Sequence, residues 1–205
     1  MSEQYKENVG WQTNYQRERE SNTIVLAKWI PILFYLMVAT TIVGVINNQL
    51  LVRFFPQIVL LGRILKSACL FAYGFVLLQL SLESEHYKIA GICTLVIAAG
   101  NFMIVLLPIL AVSFTIPIAI LGILVTYQEY QGHAQLLVNF DSMLANKWNA
   151  LWRWYLVTLA ITLGSILVAI IPIFGTLVLF VGIVGSFCIS LLKMMYLYKM
   201  VQVFR

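Results

Sequence analysis

Residues 89–127 read IAGICTLVIAAGNFMIVLLPILAVSFTIPIAILGILVTY, and no Asp, Glu, Lys, Arg or His interrupts them. A helix crosses the hydrocarbon core of a bilayer in about 20 apolar residues. This run is roughly twice that length, and Pro108 falls at its middle behind Leu106 and Leu107. Proline removes a backbone donor and clashes with the preceding turn, so it stops a helix there. The stretch therefore reads as two crossings, 89–107 and 109–127, joined by a tight turn. It is apolar throughout rather than alternating. That fits a helix, which satisfies its backbone hydrogen bonds within one segment, and argues against a barrel strand.

The same pattern recurs downstream. Residues 154–192 carry no charge, and Pro172 divides them after Ile170 and Ile171. Crossings at about 150–171 and 173–193 follow. Gly100 precedes Pro108 by eight positions, and Gly164 precedes Pro172 by eight. Phe54-Phe55-Pro56 is a fainter echo. Three helical hairpins, each turning at a proline, are expected, either from duplication or because proline is a common way to end a membrane helix. All three units share one orientation, which does not support an inverted-repeat transporter plan.

Upstream, a first crossing spans about 24–46, with Lys28 and Trp29 near its start and Pro31 in its first turns. Residues 50–82 are too long for one upright crossing and contain Arg53, Arg63 and Lys66. Either a tilted helix starts near Pro56, or residues 50–61 lie along the interface and the crossing proper occupies 63–82. The second geometry is favoured because it sets Arg63 and Lys66 near headgroups, where long basic side chains reach water. Residues 1–23 are polar and lack the apolar core of a signal peptide, so a solvated tail is expected, with Trp11 and Tyr15 able to rest at headgroup level. The expected fold is an all-α, polytopic integral membrane bundle. Its single domain, 24–205, has about six crossings in three hairpins.

Orientation follows from the basic residues. With the N-terminus inside, Lys6, Arg17, Arg19, Lys28, Lys88, Lys147, Arg153, Lys193, Lys199 and Arg205 are cytoplasmic, which leaves three of the 13 cations outside. The positive-inside rule then places both termini in the cytoplasm, with the plasma membrane as the expected location. The composition agrees: 61% of the 205 residues are hydrophobic and 10% charged, against about 45–50% and about 25% in soluble domains. The +5 net charge belongs to loops flanking apolar runs, so it points to membrane lipid rather than nucleic acid. Cys69, Cys93 and Cys188 stand far apart inside apolar runs, without metal-ligand spacing.

Few residues carry candidate chemistry. Arg63 and Lys66, one helical turn apart, form a candidate site for an anion or anionic ligand. His86, Glu129 and His133 gather toward the inner side and form a candidate metal set, although Glu four residues before His is also an ordinary helix-surface pair. Residues 128–149 read as a long inner loop. Asp141 or Ser142 caps an amphipathic interfacial helix bearing Leu144, Trp148, Leu151 and Trp152, with Trp148, Trp152 and Trp154 as interfacial anchors. Small residues at Gly164, Ser165, Ala169, Gly182, Gly185 and Ser186 permit close helix approach, within one chain or between protomers.

The absence of a mid-membrane carboxylate argues against proton- or cation-coupled transport. Three classes stay open. The first is a non-catalytic protein acting through protein or lipid contacts, as an accessory, assembly or immunity-type factor with a membrane or cytoplasmic partner. The second is a small carrier or channel for a neutral or anionic solute, with Pro117 kinking a helix beside a cavity lined by Asn101, Ser113, Thr115 and Thr162. The third is a membrane-embedded hydrolase using the His/Glu cluster. No cofactor motif is present, and catalysis is not expected.

Overall fold

The structure is a computed structural model that describes residues 24–44, 56–168 and 172–204. Within these residues the chain is helical, with no strand. Helix α1 spans Ile24–Gly44. It is followed by α2 Pro56–Gln79, α3 Glu85–Leu106, α4 Ala111–Leu137, α5 Ser142–Val168 and α6 Pro172–Val203. Among the described residues, five stretches are long and apolar enough to cross a membrane: Ile24–Gly44, Leu60–Leu82, Glu85–Leu106, Pro108–Leu137 and Ile173–Val203. Trp11, Tyr15, Arg53 and Ala169 lie outside the described residues.

The turn that governs the reading of residues 89–127 forms as expected. Helix α3 ends at Leu106, Leu107 leaves helical geometry at φ −130°, and a 3₁₀ turn over Pro108–Leu110 leads into α4. Pro117 sits inside α4 without ending it.

Three sequence expectations are corrected. First, α2 runs unbroken from Pro56 through Arg63, so no break separates residues 56–61 from Arg63, while residues 50–55 lie outside the described residues. Proline is tolerated in a first turn, where its missing N–H has no intrahelical partner. Second, α3 begins at Glu85 rather than near residue 89. Ser84 caps it by accepting a hydrogen bond from the His86 amide at 3.2 Å, and Glu85 favours the positive helix start. Third, residues 128–149 are not a loop. Helix α4 continues to Leu137, and α5 starts at Ser142. Asp141 caps α5 through Oδ1, which accepts from the Leu144 amide at 2.9 Å.

The face of Leu144, Trp148 and Leu151 is apolar as read, but it is buried inside the protein rather than laid on a headgroup layer. It packs there because the end of α4 offers a matching face of Tyr130, Ala134 and Leu137, all buried.

The core is concentrated at one end of the bundle, the end carrying the 80–84 and 138–141 turns. There the start of α1 (Leu26, Ile30, Leu33), the end of α2 (Val76, Leu77) and the start of α3 (Tyr87, Ala90) meet the end of α6 (Leu197, Met200). At the other end, Leu106, Leu107, Ile109, Val112, Ile173 and Phe174 are exposed. Lipid tails are as apolar as these side chains, so a membrane helix gains no hydrophobic driving force by hiding them.

Close packing uses glycine in consecutive helices. A Cβ on Gly91 would stand 3.0 Å from the Gly74 carbonyl oxygen and 2.9 Å from Leu78. One on Gly182 would meet Thr162 Oγ1 at 2.5 Å, and one on Gly185 would meet Thr158 Cγ2 at 2.6 Å. The two glycines of the sequence echo differ: Gly100 faces Ile118 and Phe114, whereas Gly164 has nothing within 4 Å.

Candidate functional site

The packed end of the bundle closes around one carboxylate. Glu129 lies on the eighteenth position after the start of α4 and is only 2% exposed. Burying an unpaired carboxylate among apolar side chains is very costly, so the surrounding helices must supply donors. They do. Tyr73 of α2 donates its hydroxyl to Oε1, and Lys193 of α6 donates from Nζ to Oε2 at 2.8 Å. His133, one turn further along α4 and fully buried, approaches Oε1 through Nε2 at 3.4 Å.

The His133 ring is fixed from two sides. Its Nδ1 lies 2.7 Å from the Tyr87 hydroxyl of α3. A single neutral tautomer serves both contacts, with Tyr87 donating to Nδ1 while Nε2–H points at Glu129. Trp148 of α5 lies over the imidazole at 4.4 Å between ring centroids. Gly132 makes room for Tyr87, since a Cβ there would stand 3.1 Å from the phenol ring. Helices α2, α3, α5 and α6 thus each place at least one side chain on the Glu129–His133 turn of α4.

Against this geometry the sequence candidates separate. His86 does not join Glu129 and His133. Its Nδ1 is 2.6 Å from Gln128 Oε1, while Ser84 donates to Gln135 Oε1 at 2.7 Å. Among the described residues no three His, Cys, Asp or Glu side chains converge at metal-holding distance. The donors of the expected set are spent on Gln128, Tyr87 and Lys193. The Glu129–His133 pair is buried rather than a helix-surface pair, because α4 does not end near residue 127 but carries both residues into the core.

Trp148 is likewise no interfacial anchor, being 0% exposed. Trp152 is partly buried and stacks on Tyr155 at 5.6 Å, and Trp154, 62% exposed, is free to meet an interface.

Arg63 and Lys66 are exposed on α2, and Lys66 borders a cavity that Arg63 does not. The cavity has a volume of about 340 Å³ and lies between α1, α2, α3, α4 and α6. Tyr73, Glu129 and Lys193 form one end of it. Thr40, Thr94, Asn101 and Thr126 add polar atoms, and Met37, Leu70, Ile97, Ile118 and Val125 form apolar wall. From Lys66 to Tyr73 along α2 it extends about 10 Å at 1.5 Å per residue. Of the polar lining expected from sequence, Asn101 is present. Ser113, Thr115 and Thr162 are elsewhere: Thr115 is exposed and bonded to the Ala111 carbonyl, and Thr162 packs against Gly182.

Sequence reasoning missed Tyr73, Tyr87, Thr94 and Thr126. Tyr73 and Tyr87 carried a usable signal, since tyrosine within an apolar helix needs a partner for its hydroxyl. No protein-family model matches this chain, and no curated protein or solved structure matches it either.

Proposed function

We propose that this chain is a non-catalytic, multi-pass plasma-membrane protein that holds a small neutral or anionic solute between its helices, in the manner of a carrier. The observation that carries this reading is the cavity of about 340 Å³, lined by Lys66, Asn101, Glu129 and Lys193. Ligand sites of this size, mostly apolar with a few convergent polar groups, recur between the helices of bundles. In a bilayer, polar and ionisable groups that face a cleft between helices mark candidate solute paths. Counting α5 as the sixth crossing gives three hairpins, and the basic residues put both termini in the cytoplasm.

The competing readings have less geometry in their favour. Action through protein or lipid contacts, the first class above, rests on bare helices and the lack of a motif rather than on a positive feature, and residues 128–137 and 142–149, which could have offered a loop for a partner, are helical parts of α4 and α5. The hydrolase reading needed His86 beside Glu129 and His133, and their donors are turned to other partners.

The test is chemical access to the cavity. Asn101→Cys is introduced after Cys69, Cys93 and Cys188 are replaced by Ala, and intact membranes are treated with a water-soluble methanethiosulfonate. Modification of the cysteine from one side of the membrane is expected. A cysteine that resists modification from both sides would mean a dry interior and would remove the carrier reading.

A further inference from the structure

The cavity's charges and hydrogen-bond directions restrict what it can hold. Lys66 and Lys193 contribute two positive charges and Glu129 one negative, which leaves an excess of one positive charge. Lys193 is already paired with Glu129 and lies 5.5 Å from the Tyr130 ring centroid. Lys66 has no acidic residue within ion-pair distance among the described residues. Lys66 is exposed on one side and borders the mostly apolar cavity on the other, so the unpaired positive charge at this end favours a ligand with one negative charge over a neutral or cationic one.

The middle of the cavity has the opposite character. Thr40 donates its hydroxyl to the Met37 carbonyl at 2.8 Å, Thr94 to Ala90 at 2.7 Å and Thr126 to Gly122 at 2.8 Å. A hydroxyl has one proton to give, so these three side chains turn only lone pairs toward the cavity. Asn101 spends one Nδ2–H on the Ile97 carbonyl at 3.0 Å and keeps the other. The three hydroxyls therefore accept hydrogen bonds and disfavour a bare anion beside them, while the apolar walls suit a hydrocarbon.

We propose that the ligand is a small organic monoanion whose charged group pairs with Lys66, whose body is apolar, and which carries its own O–H or N–H donor for Thr94 and Thr126. This rests on the solute-binding reading above and narrows it to one chemical class. Its size follows from the volume. At about 30 Å³ per water, the space holds roughly eleven water-sized groups, the scale of an eight-carbon hydroxy acid, and because the cavity is partly open a longer body can extend beyond it. The anion could be supplied by a free carboxylate or by an acidic lipid headgroup.

The full chain in phosphatidylcholine nanodiscs is titrated calorimetrically with 8-hydroxyoctanoate, octanoate, octanol and octylammonium, each referenced to empty nanodiscs. Affinity is expected in the order 8-hydroxyoctanoate, octanoate, octanol, with at least tenfold between the first and last and no octylammonium binding. Lys66→Gln should lose at least tenfold for the two carboxylates and leave octanol unchanged, while Lys66→Arg should retain carboxylate binding.

Octanol binding as tightly as octanoate, with Lys66→Gln silent, would overturn the monoanion proposal and leave solute binding standing. No binding by any probe, with Asn101→Cys still reactive, would also overturn this proposal alone. No binding together with an unreactive Asn101→Cys would remove both. Weaker octanoate binding in phosphatidylglycerol nanodiscs would support the proposal with lipid as the source of the anion, and unchanged binding would support it with a soluble solute.

Discussion

Replacing Lys193 with methionine isolates the role of the buried ion pair. Glu129 is 2% exposed and its Oε2 takes the Lys193 ammonium at 2.8 Å, whereas Lys193 itself is 20% exposed. Methionine keeps the length and apolar stem but leaves the carboxylate with Tyr73 and the long His133 contact alone. Breaking a buried pair from one side costs about 3–5 kcal/mol, because the other charge stays buried and uncompensated. Glu129→Gln is expected to cost less, about 1–3 kcal/mol, since the partly exposed ammonium can turn toward the cavity. Removing both charges at once eliminates the orphan. The double variant should therefore be less destabilised than the sum of the single variants by about 2 kcal/mol, within the range seen for contacting residues. The assay is unfolding of the full chain in mixed micelles titrated with sodium dodecyl sulfate, followed by far-ultraviolet circular dichroism. Additivity of the two substitutions to within about 0.5 kcal/mol would refute the pairing and the account of how the bundle end is held.

Two further substitutions test the packing in the same assay. Gly91→Ala drives a methyl group to 3.0 Å from the Gly74 carbonyl oxygen, a backbone atom that cannot move aside, and should destabilise by about 1–3 kcal/mol. Gly164→Ala meets nothing within 4 Å and should be neutral or stabilising by up to about 1 kcal/mol from helix propensity, so equal losses at both sites would contradict the α2–α3 contact. Asp141→Ala removes the acceptor for the Leu144 amide and should cost about 0.5–2 kcal/mol, while Asp141→Asn should restore most of it. Indifference to either change would mean that the cap does not hold the start of α5.

The helical membrane character of the chain was legible because it rests on local quantities. Long uncharged runs such as 89–127 favour helix in lipid because each backbone group is then satisfied within its own segment, and a run twice the length of a crossing has to turn near its middle, where Pro108 stands. The Asp141 cap and the Leu144, Trp148, Leu151 face were legible for the same reason, being periodicities within one segment. The partner of that face was not. An amphipathic stripe packs equally well on headgroups or on protein, and what chose protein was the apolar face that α4 presents across the 138–141 turn. Burial of Trp148 and loss of the 128–149 loop both follow from that choice.

The candidate site divides along the same line. Sequence alone singled out Glu129 and His133 as a pair on one helix face, Arg63 and Lys66 together as a candidate anion site, and Asn101 as one of four residues lining a cavity. It could not show that Tyr73 lies beside Glu129, 56 positions along the chain, or that Lys193 reaches the same carboxylate from 64 positions away. Nor could it turn His86 toward Gln128 and away from a metal set. What the sequence by itself determined is the apolar, helical character of the chain and the ends marked by Pro108 and Asp141, since those depend on transfer energies and backbone rules acting within a few turns; α6, which runs to Val203 rather than to about 193, shows that apolarity alone does not set where a helix stops. What only the tertiary structure decided is which polar side chains share a buried space, because contacts between helices are set by close packing at Gly74, Gly91 and Gly182 and have no counterpart in the order of residues.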